Sequence, residues 1–294
     1  MELVPQLIAS GLTVGAVYAL IALGFTIIFS ATGILNFAQG EFVMLGALVG
    51  VTVYTKLGIP YLISLVLTVV SVTIVGILFD KLVVESLVRA KSPLFGLIVS
   101  TVAVSFLLRN GSAAIWGTTQ LYAKPVLGNT PIVIFDASFI PQSFVVFAVT
   151  IVALLATWYF YDRTIIGRSF RAVAINREAA GLIGADADMA ILCSFAISAA
   201  LGGAAGLAFS PISNATAYMG ALLGIKGFAA SLLGGLGNMA GAVAGGLILG
   251  LLEAFGAAYL PTGYQDAISF TIMLFILFVR PSGLFSRGRS ATRV

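Results

Sequence analysis

Apolar runs long enough to cross a bilayer dominate the chain. A helix needs roughly 20 apolar residues to span the hydrocarbon core. Such runs fall at about 5–30, 37–55, 61–84, 94–116, 141–161, 189–211, 217–236, 240–259 and 264–280. They predict an all-α polytopic membrane protein, a single helical bundle of about eight transmembrane helices. Two stretches interrupt the pattern. Asn36-Phe37-Ala38-Gln39-Gly40-Glu41 puts polar side chains where hydrocarbon is expected, and 217–259 either crosses twice or does not fully cross at all. Irregular backbone survives at membrane depth only where it is buried in protein or lines a cavity. One or two broken or re-entrant segments are therefore expected. If 37–55 crosses fully, Met1 lies outside; if it is re-entrant, Met1 lies inside.

The polar segments between the runs set the sidedness. Asp80 to Ser92 holds Lys81, Arg89 and Lys91; Asp162 to Asp188 holds Arg163, Arg168, Arg171 and Arg177; the tail holds Arg280, Arg287, Arg289 and Arg293. By the positive-inside rule all three face the cytoplasm. The segment from Gly117 carries only Lys124 and Asp136 and is expected to face outward. The sequence thus predicts one transmembrane unit over 1–294, with a cytoplasmic loop at 162–188 and an outer-face loop at 117–141. The start, Met1-Glu2-Leu3-Val4-Pro5, lacks a basic n-region and reads as the lead into a retained first helix.

Composition narrows the classes. The chain is 60% hydrophobic and only 9% charged, against about 25% charged residues in a soluble domain. A net charge of +4 confined to loops sets orientation and gives no basis for nucleic-acid binding. A single cysteine, Cys193, excludes an intrachain disulfide and a cysteine metal cluster, and the absence of histidine removes the usual zinc ligand and general base. Metal-ligand and catalytic sets are therefore not expected in this chain, and an intramembrane enzyme lacks its residues.

Small residues recur at four-residue spacing, as in Gly11/Gly15, Ser198/Gly202/Gly206 and Gly241/Gly245. This spacing lets helix backbones approach closely and signals a tight bundle, whatever its activity. Gly235-Leu236-Gly237-Asn238-Met239-Ala240 fits a dinucleotide-binding pattern, but that motif needs a soluble βαβ unit, so a turn between packed helices is expected. Lys226 lies in no P-loop, and no ATP site is visible. A weak echo links Thr32–Asn36 and the following Gly40 with Asn214–Thr216 and the following Gly220. Polar interruptions at matching places in two halves point to a transport pathway, although glycine- and alanine-rich helices also resemble one another by composition alone.

Four ionisable residues fall within or near apolar runs. Arg109 and Glu253 are expected near span ends, where long side chains reach the interface. Glu41 and Lys226 sit beside polar breaks and are candidates for cavity lining, gating or a structural ion pair.

The arginine-rich loop has a helical reading. Phe170, Val173 and Ala174 fall on one face, and Ala180, Ile183 and Gly184 repeat the spacing. A short helix from Glu178 to Ile183 with Gly184 at or just past its end is predicted. Its alanines and glycine leave a shallow surface for a soluble partner.

Glu178-Ala179-Ala180 followed by Gly184 resembles the EAA loop of ATP-binding-cassette importer permeases, without the isoleucine and Leu-Pro that often follow. Gly11–Leu20 with Ala22-Leu23-Gly24, Gly33–Glu41, Gly167-Arg168 with Arg171-Ala172, Leu232–Asn238 and Arg280–Phe285 extend the resemblance over essentially the whole chain, to the LivH-type permease of branched-chain amino acid importers. The resemblance implies a heteromeric complex of this subunit, a second related permease, two ATPase subunits and an outer-face substrate-binding protein, embedded in the lipid of the bacterial inner membrane. ATP and Mg would be cofactors of the ATPase subunits, with none in this chain. It also implies that Arg171, Arg177, Glu178, Ala179, Ala180 and Gly184 dock on the ATPase. For the translocation path, the polar breaks nominate Asn36, Gln39 and Glu41 with Asn214, Tyr218 and Lys226. The same architecture would serve urea, short amides or other amino acids, since an outer binding protein supplies most selectivity. An ion-coupled secondary transporter is the alternative of another class; it calls for paired intramembrane carboxylates or a histidine relay, and only Glu41 and Glu253 are at hand.

Overall fold

A computed structural model describes residues 3–90, 92–128, 130–134, 137–175, 177–182, 184–259, 265–280 and 282–285. Its elements run α1 (Leu3–Thr32), α2 (Gln39–Gly50) with a π-helical continuation (Val51–Lys56), α3 (Tyr61–Phe79), α4 (Glu85–Arg89), α5 (Leu94–Trp116), β1 (Ile132–Ile134), β2 (Ala137–Phe139), α6 (Gln142–Arg163), α7 (Ile165–Ile175), α8 (Arg177–Leu182), α9 (Ala187–Ser213), α10 (Met219–Gly234), α11 (Met239–Tyr259) and α12 (Gln265–Val279). A π-helical turn at Asp80–Val84 joins α3 to α4. Asp136 and the tail residues Arg287, Arg289 and Arg293 lie outside the described residues.

Among the described residues six helices are long and apolar enough to cross a membrane, with two shorter apolar helices in α10 and α12. Together with α2 and its continuation these supply the expected all-α polytopic bundle. Proline stands immediately before α3, α5 and α6, at Pro60, Pro93 and Pro141. A residue without an N–H costs nothing at a helix start, where the first donors have no helical partner anyway. The centre is formed by α1 and α9, whose apolar windows are mostly buried, whereas α3, α5 and α6 expose most of theirs. Leu62, Phe95, Leu107 and Val152 of the outer helices face outward, as lipid-facing side chains do.

The helix ends fix the running directions. Gln6 near the start of α1 brackets Ser138 of the hairpin, accepting its N–H at 2.7 Å and donating to its carbonyl at 3.1 Å. The indole of Trp116 donates to Thr52 at 2.8 Å, Lys124 N–H donates to Thr55 at 3.2 Å, and Leu121 pairs with Ala215 just after α9. Segment 117–141 therefore gathers the start of α1 and the ends of α2, α5 and α9. The opposite end holds 162–188 and the α10–α11 turn, which the tail straps down through Leu284 N–H to Leu233 carbonyl at 2.9 Å. That turn contains the glycine motif: Gly235 and Gly237 have φ of 97° and 87°, and Asn238 caps Gly241 at 3.1 Å. It is a helix-to-helix turn.

These directions make α1 and α9 antiparallel, and likewise α2 and α10, and α3 and α11. The packing repeats with them: α1 lies on α11 as α9 lies on α3, and α2 lies on α9 as α10 lies on α1. The two breaks close with the same turn bond, Gln39 N–H to Asn36 carbonyl at 3.2 Å and Met219 N–H to Thr216 carbonyl at 3.4 Å. The faint sequence echo is thus an inverted structural repeat, each half holding one broken segment. Since α1 begins at the 117–141 end, the second run is a crossing with a broken start.

Candidate functional site

The half-helices α2 and α10 meet near their N-termini. A β-carbon on Gly40 would fall onto the Gly220 carbonyl and lie 2.7 Å from the Gly224 Cα. Only paired glycines let the two backbones touch. Both N-termini thus converge inside the bundle, and each presents the positive end of its aligned peptide dipoles.

Three of the residues nominated from the sequence cluster here. Asn36, Gln39 and Glu41 are each about 1% exposed or less. Asn36 Oδ1 accepts the Ala38 N–H at 3.0 Å and shapes the break. Gln39 reaches α9, where its amide donates to the Ser198 carbonyl at 3.3 Å and accepts from the Ser198 hydroxyl. Glu41 Oε1 accepts from Ser105 Oγ at 2.8 Å and from Arg109 at 2.7 and 3.2 Å. Tyr218 stands half-exposed immediately before α10, and Asn214 ends α9 with φ of 56° and ψ of 157°, a strained backbone conformation otherwise almost confined to glycine.

Lys226 is not with them. It pairs with Glu253 of α11 and with Asp266 of α12 at 2.8 Å, while Tyr18 of α1 donates to Glu253 at 2.7 Å. This second cluster ties four helices together, and two of the three donors of the Lys226 ammonium are taken up within it. The expectation that Arg109 and Glu253 sit at span ends is corrected: both lie well inside their helices and form buried ion pairs, because a buried carboxylate costs too much without a cationic partner. Thr101, Ser105, Arg109 and Ser112 form a polar stripe on the inner face of the mostly apolar α5, and Thr101 also accepts the Phe37 N–H at 3.2 Å. That stripe was the missed signal, since a membrane helix turns such a face only toward protein or a cavity.

The 162–188 segment forms a compact elbow. Thr164 caps α7 by accepting the Gly167 N–H at 2.9 Å, and Phe170 packs against Phe160 and Tyr161. Helix α8 closes with Ala185 N–H on the Ala180 carbonyl at 3.0 Å and Gly184 N–H on the Gly181 carbonyl at 3.1 Å, with Gly184 at φ 83°. This paired bonding is the Schellman stop, whose left-handed position favours glycine. Asp186 then caps α9, accepting from Asp188 and Met189 N–H groups. Ala180 is buried, Ala179 is exposed, and Arg171 pairs with Asp162 at 3.2 Å. The side chains of Arg177 and Glu178, and Ile183 entirely, lie outside the described residues. Leu182 is 90% exposed in this arginine-rich segment, as are Ile165 and Ile175 at the two ends of α7 to a lesser degree, and sequence reasoning overlooked it.

The family model described as "Branched-chain amino acid transport system / permease component" matches residues 7–277. The chain belongs to that family. The permease is 34% identical over 295 residues to the high-affinity branched-chain amino acid transport system permease protein LivH of Salmonella typhimurium, covering 96% of this chain and 95% of the relative. It is 32% identical over 297 residues to the corresponding permease BraD of Pseudomonas aeruginosa, with the same coverage. It is 33% identical over 282 residues to a probable LivH of Methanocaldococcus jannaschii, covering 90% of this chain and 87% of that one. The permease is a multi-pass membrane subunit of a transporter, and its bacterial relatives place it in the inner membrane.

Proposed function

We propose that this permease moves branched-chain amino acids into the cytoplasm by alternating access, driven by ATP binding and hydrolysis in separate ATPase subunits. The observation that carries the reading is the end-to-end match, at 34% identity, to a relative named as a branched-chain amino acid permease. The inverted repeat with two half-helices supports it, because substrate sites in such folds lie at the repeat interface near converging helix ends. The partners in this reading are a second related permease, two ATPases holding ATP and Mg, and an outer-face binding protein. The 162–188 elbow faces the cytoplasm and 117–141 faces outward, so the binding protein docks over the hairpin.

Closure of the ATPase dimer pushes on α8. Leu182 enters a groove of the ATPase, and the arginines around it complement acidic groups there. The stiff packing of Phe170 on α6 then transmits the push to the bundle. Asn36, Gln39, Glu41, Asn214 and Tyr218 border the path, and Lys226 braces the half-helix α10 beside it.

Position 184 separates folding from docking. A β-carbon there would meet nothing within 4 Å in this chain, so only the left-handed backbone resists substitution, by about 1 kcal/mol. Gly184→Ala is expected to keep most ATP-driven L-leucine uptake in proteoliposomes holding the full complex, whereas Gly184→Trp is expected to lose more than about tenfold through collision with the docked ATPase. Equal uptake by the two variants overturns the docking site. Uptake that collapses with an uncoupler at constant ATP overturns ATP coupling and favours the ion-coupled alternative.

A further inference from the structure

Beyond its ion pair, Glu41 has an unused half. Its Oε1 takes all three donors, two from Arg109 and one from Ser105, while Oε2 has no protein donor although the residue is 1% exposed. Asn36, five residues earlier on the same break, mirrors this: its Oδ1 is held by Ala38, while its Nδ2 has no protein acceptor. A buried carboxylate oxygen and a buried amide N–H left without partners each cost about 1–3 kcal/mol. The neighbouring Gln39 uses both ends of its amide on Ser198, and Glu253 uses both oxygens. Among the described residues the other carboxylate with an unpartnered buried oxygen is Asp80, which follows the end of α3 and belongs to neither break.

We propose that Glu41 Oε2 receives the ammonium group of the transported amino acid and that Asn36 Nδ2 donates to its carboxylate. The proposal rests on the reading of this chain as an amino acid permease and gives it a consequence: the membrane subunit itself screens for a zwitterionic head group. The surroundings suit both charges. Glu41 Oε2 lies against Gly220 at the start of α10, and the positive ends of α2 and α10 favour a carboxylate placed beside them. Phe37 and Tyr218, both partly exposed beside the breaks, supply an apolar wall for a branched side chain. An analogue lacking either charge leaves a buried group unpaired, which is the strongest form of discrimination available to a site.

Two isosteric variants test it. In Glu41→Gln the three donors hold the amide oxygen where Oε1 was, and an NH2 group replaces the acceptor Oε2. In Asn36→Asp the turn bond to Ala38 is kept, and a carboxylate oxygen replaces the donor Nδ2. In proteoliposomes with the full complex, each is expected to lower the maximal L-leucine uptake rate about ten- to a hundredfold, the value of one hydrogen bond to a charged group. The half-saturating leucine concentration and the ATPase stimulation by loaded binding protein should hold. In parallel, L-leucine added to the wild-type complex should shift a buried carboxylate stretch in the infrared difference spectrum. Wild-type uptake with both variants equally fast overturns the proposal, as does an unperturbed infrared spectrum, which decides the matter even where a variant fails to assemble. A wild-type complex that imports no leucine instead overturns the functional reading itself.

Discussion

Arg109→Leu is expected to destabilise the bundle by about 3–5 kcal/mol, the cost of stranding a buried charge. Glu41 is almost wholly enclosed, and Arg109 supplies two of the three hydrogen bonds it accepts. The remaining donor, Ser105, is neutral and cannot offset a carboxylate held at membrane depth. The effect should extend beyond Glu41. Helix α5 exposes most of its surface and meets the break through the polar stripe of Thr101, Ser105 and Arg109, so losing the guanidinium removes the charged one of its few ties there and leaves the neutral bonds of Thr101 and Ser105. The variant should melt lower in detergent and assemble poorly. Adding Glu41→Gln to Arg109→Leu removes the stranded charge and should recover most of the melting temperature while leaving transport lost. Equal melting of Arg109→Leu and wild type in a thermal unfolding series contradicts the ion-pair account.

The second large effect is graded. Gly40→Ala should be severe and Gly224→Ala mild, although both residues lie in the same crossing. A β-carbon at 40 collides with backbone, the Gly220 carbonyl and the Gly224 Cα, which no side-chain rotation relieves. A β-carbon at 224 approaches Gly40 at 3.1 Å, a distance that a shift of a few tenths of an ångström absorbs. Overpacking costs typically about 1–3 kcal/mol; here it also separates the two helix ends that define the site. Uptake by assembled complexes should therefore fall more than about tenfold for Gly40→Ala and by less than about threefold for Gly224→Ala. The reverse order contradicts the crossing geometry.

Much of this was legible in the sequence, and the illegible part has a consistent cause. Span positions follow from the length of apolar runs, and the break at 36–41 follows from polar residues that hydrocarbon does not accept. The stop at Gly184 was readable because a left-handed helix end selects glycine locally. What local pattern does not carry is which helix faces which. Arg109 and Glu41 are 68 positions apart, and nothing within either segment names the other. The same holds for Lys226, placed beside a break by its neighbours in sequence but turned by its helix face toward Tyr18, Glu253 and Asp266. The inverted repeat was faint because the equivalent positions share a backbone geometry without sharing residues: Asn36 corresponds to Thr216 at the turn bond, and Gln39 to Met219. Leu182 went unnoticed because one exposed leucine is unremarkable in a chain this apolar; only its near-complete exposure in the elbow marks it.

The central claim is that the elbow around α8 receives the ATPase. A cysteine in that elbow tests this most directly, since the chain's own thiol, Cys193, is partly buried and can first be replaced by serine. Leu182→Cys in the Cys193→Ser background, carrying a short photo-activated cross-linker in the fully assembled complex, is predicted to form an adduct with an ATP-binding subunit whose yield changes when ATP is bound. Adducts confined to lipid or to this chain, in a complex shown to be intact, would contradict the account.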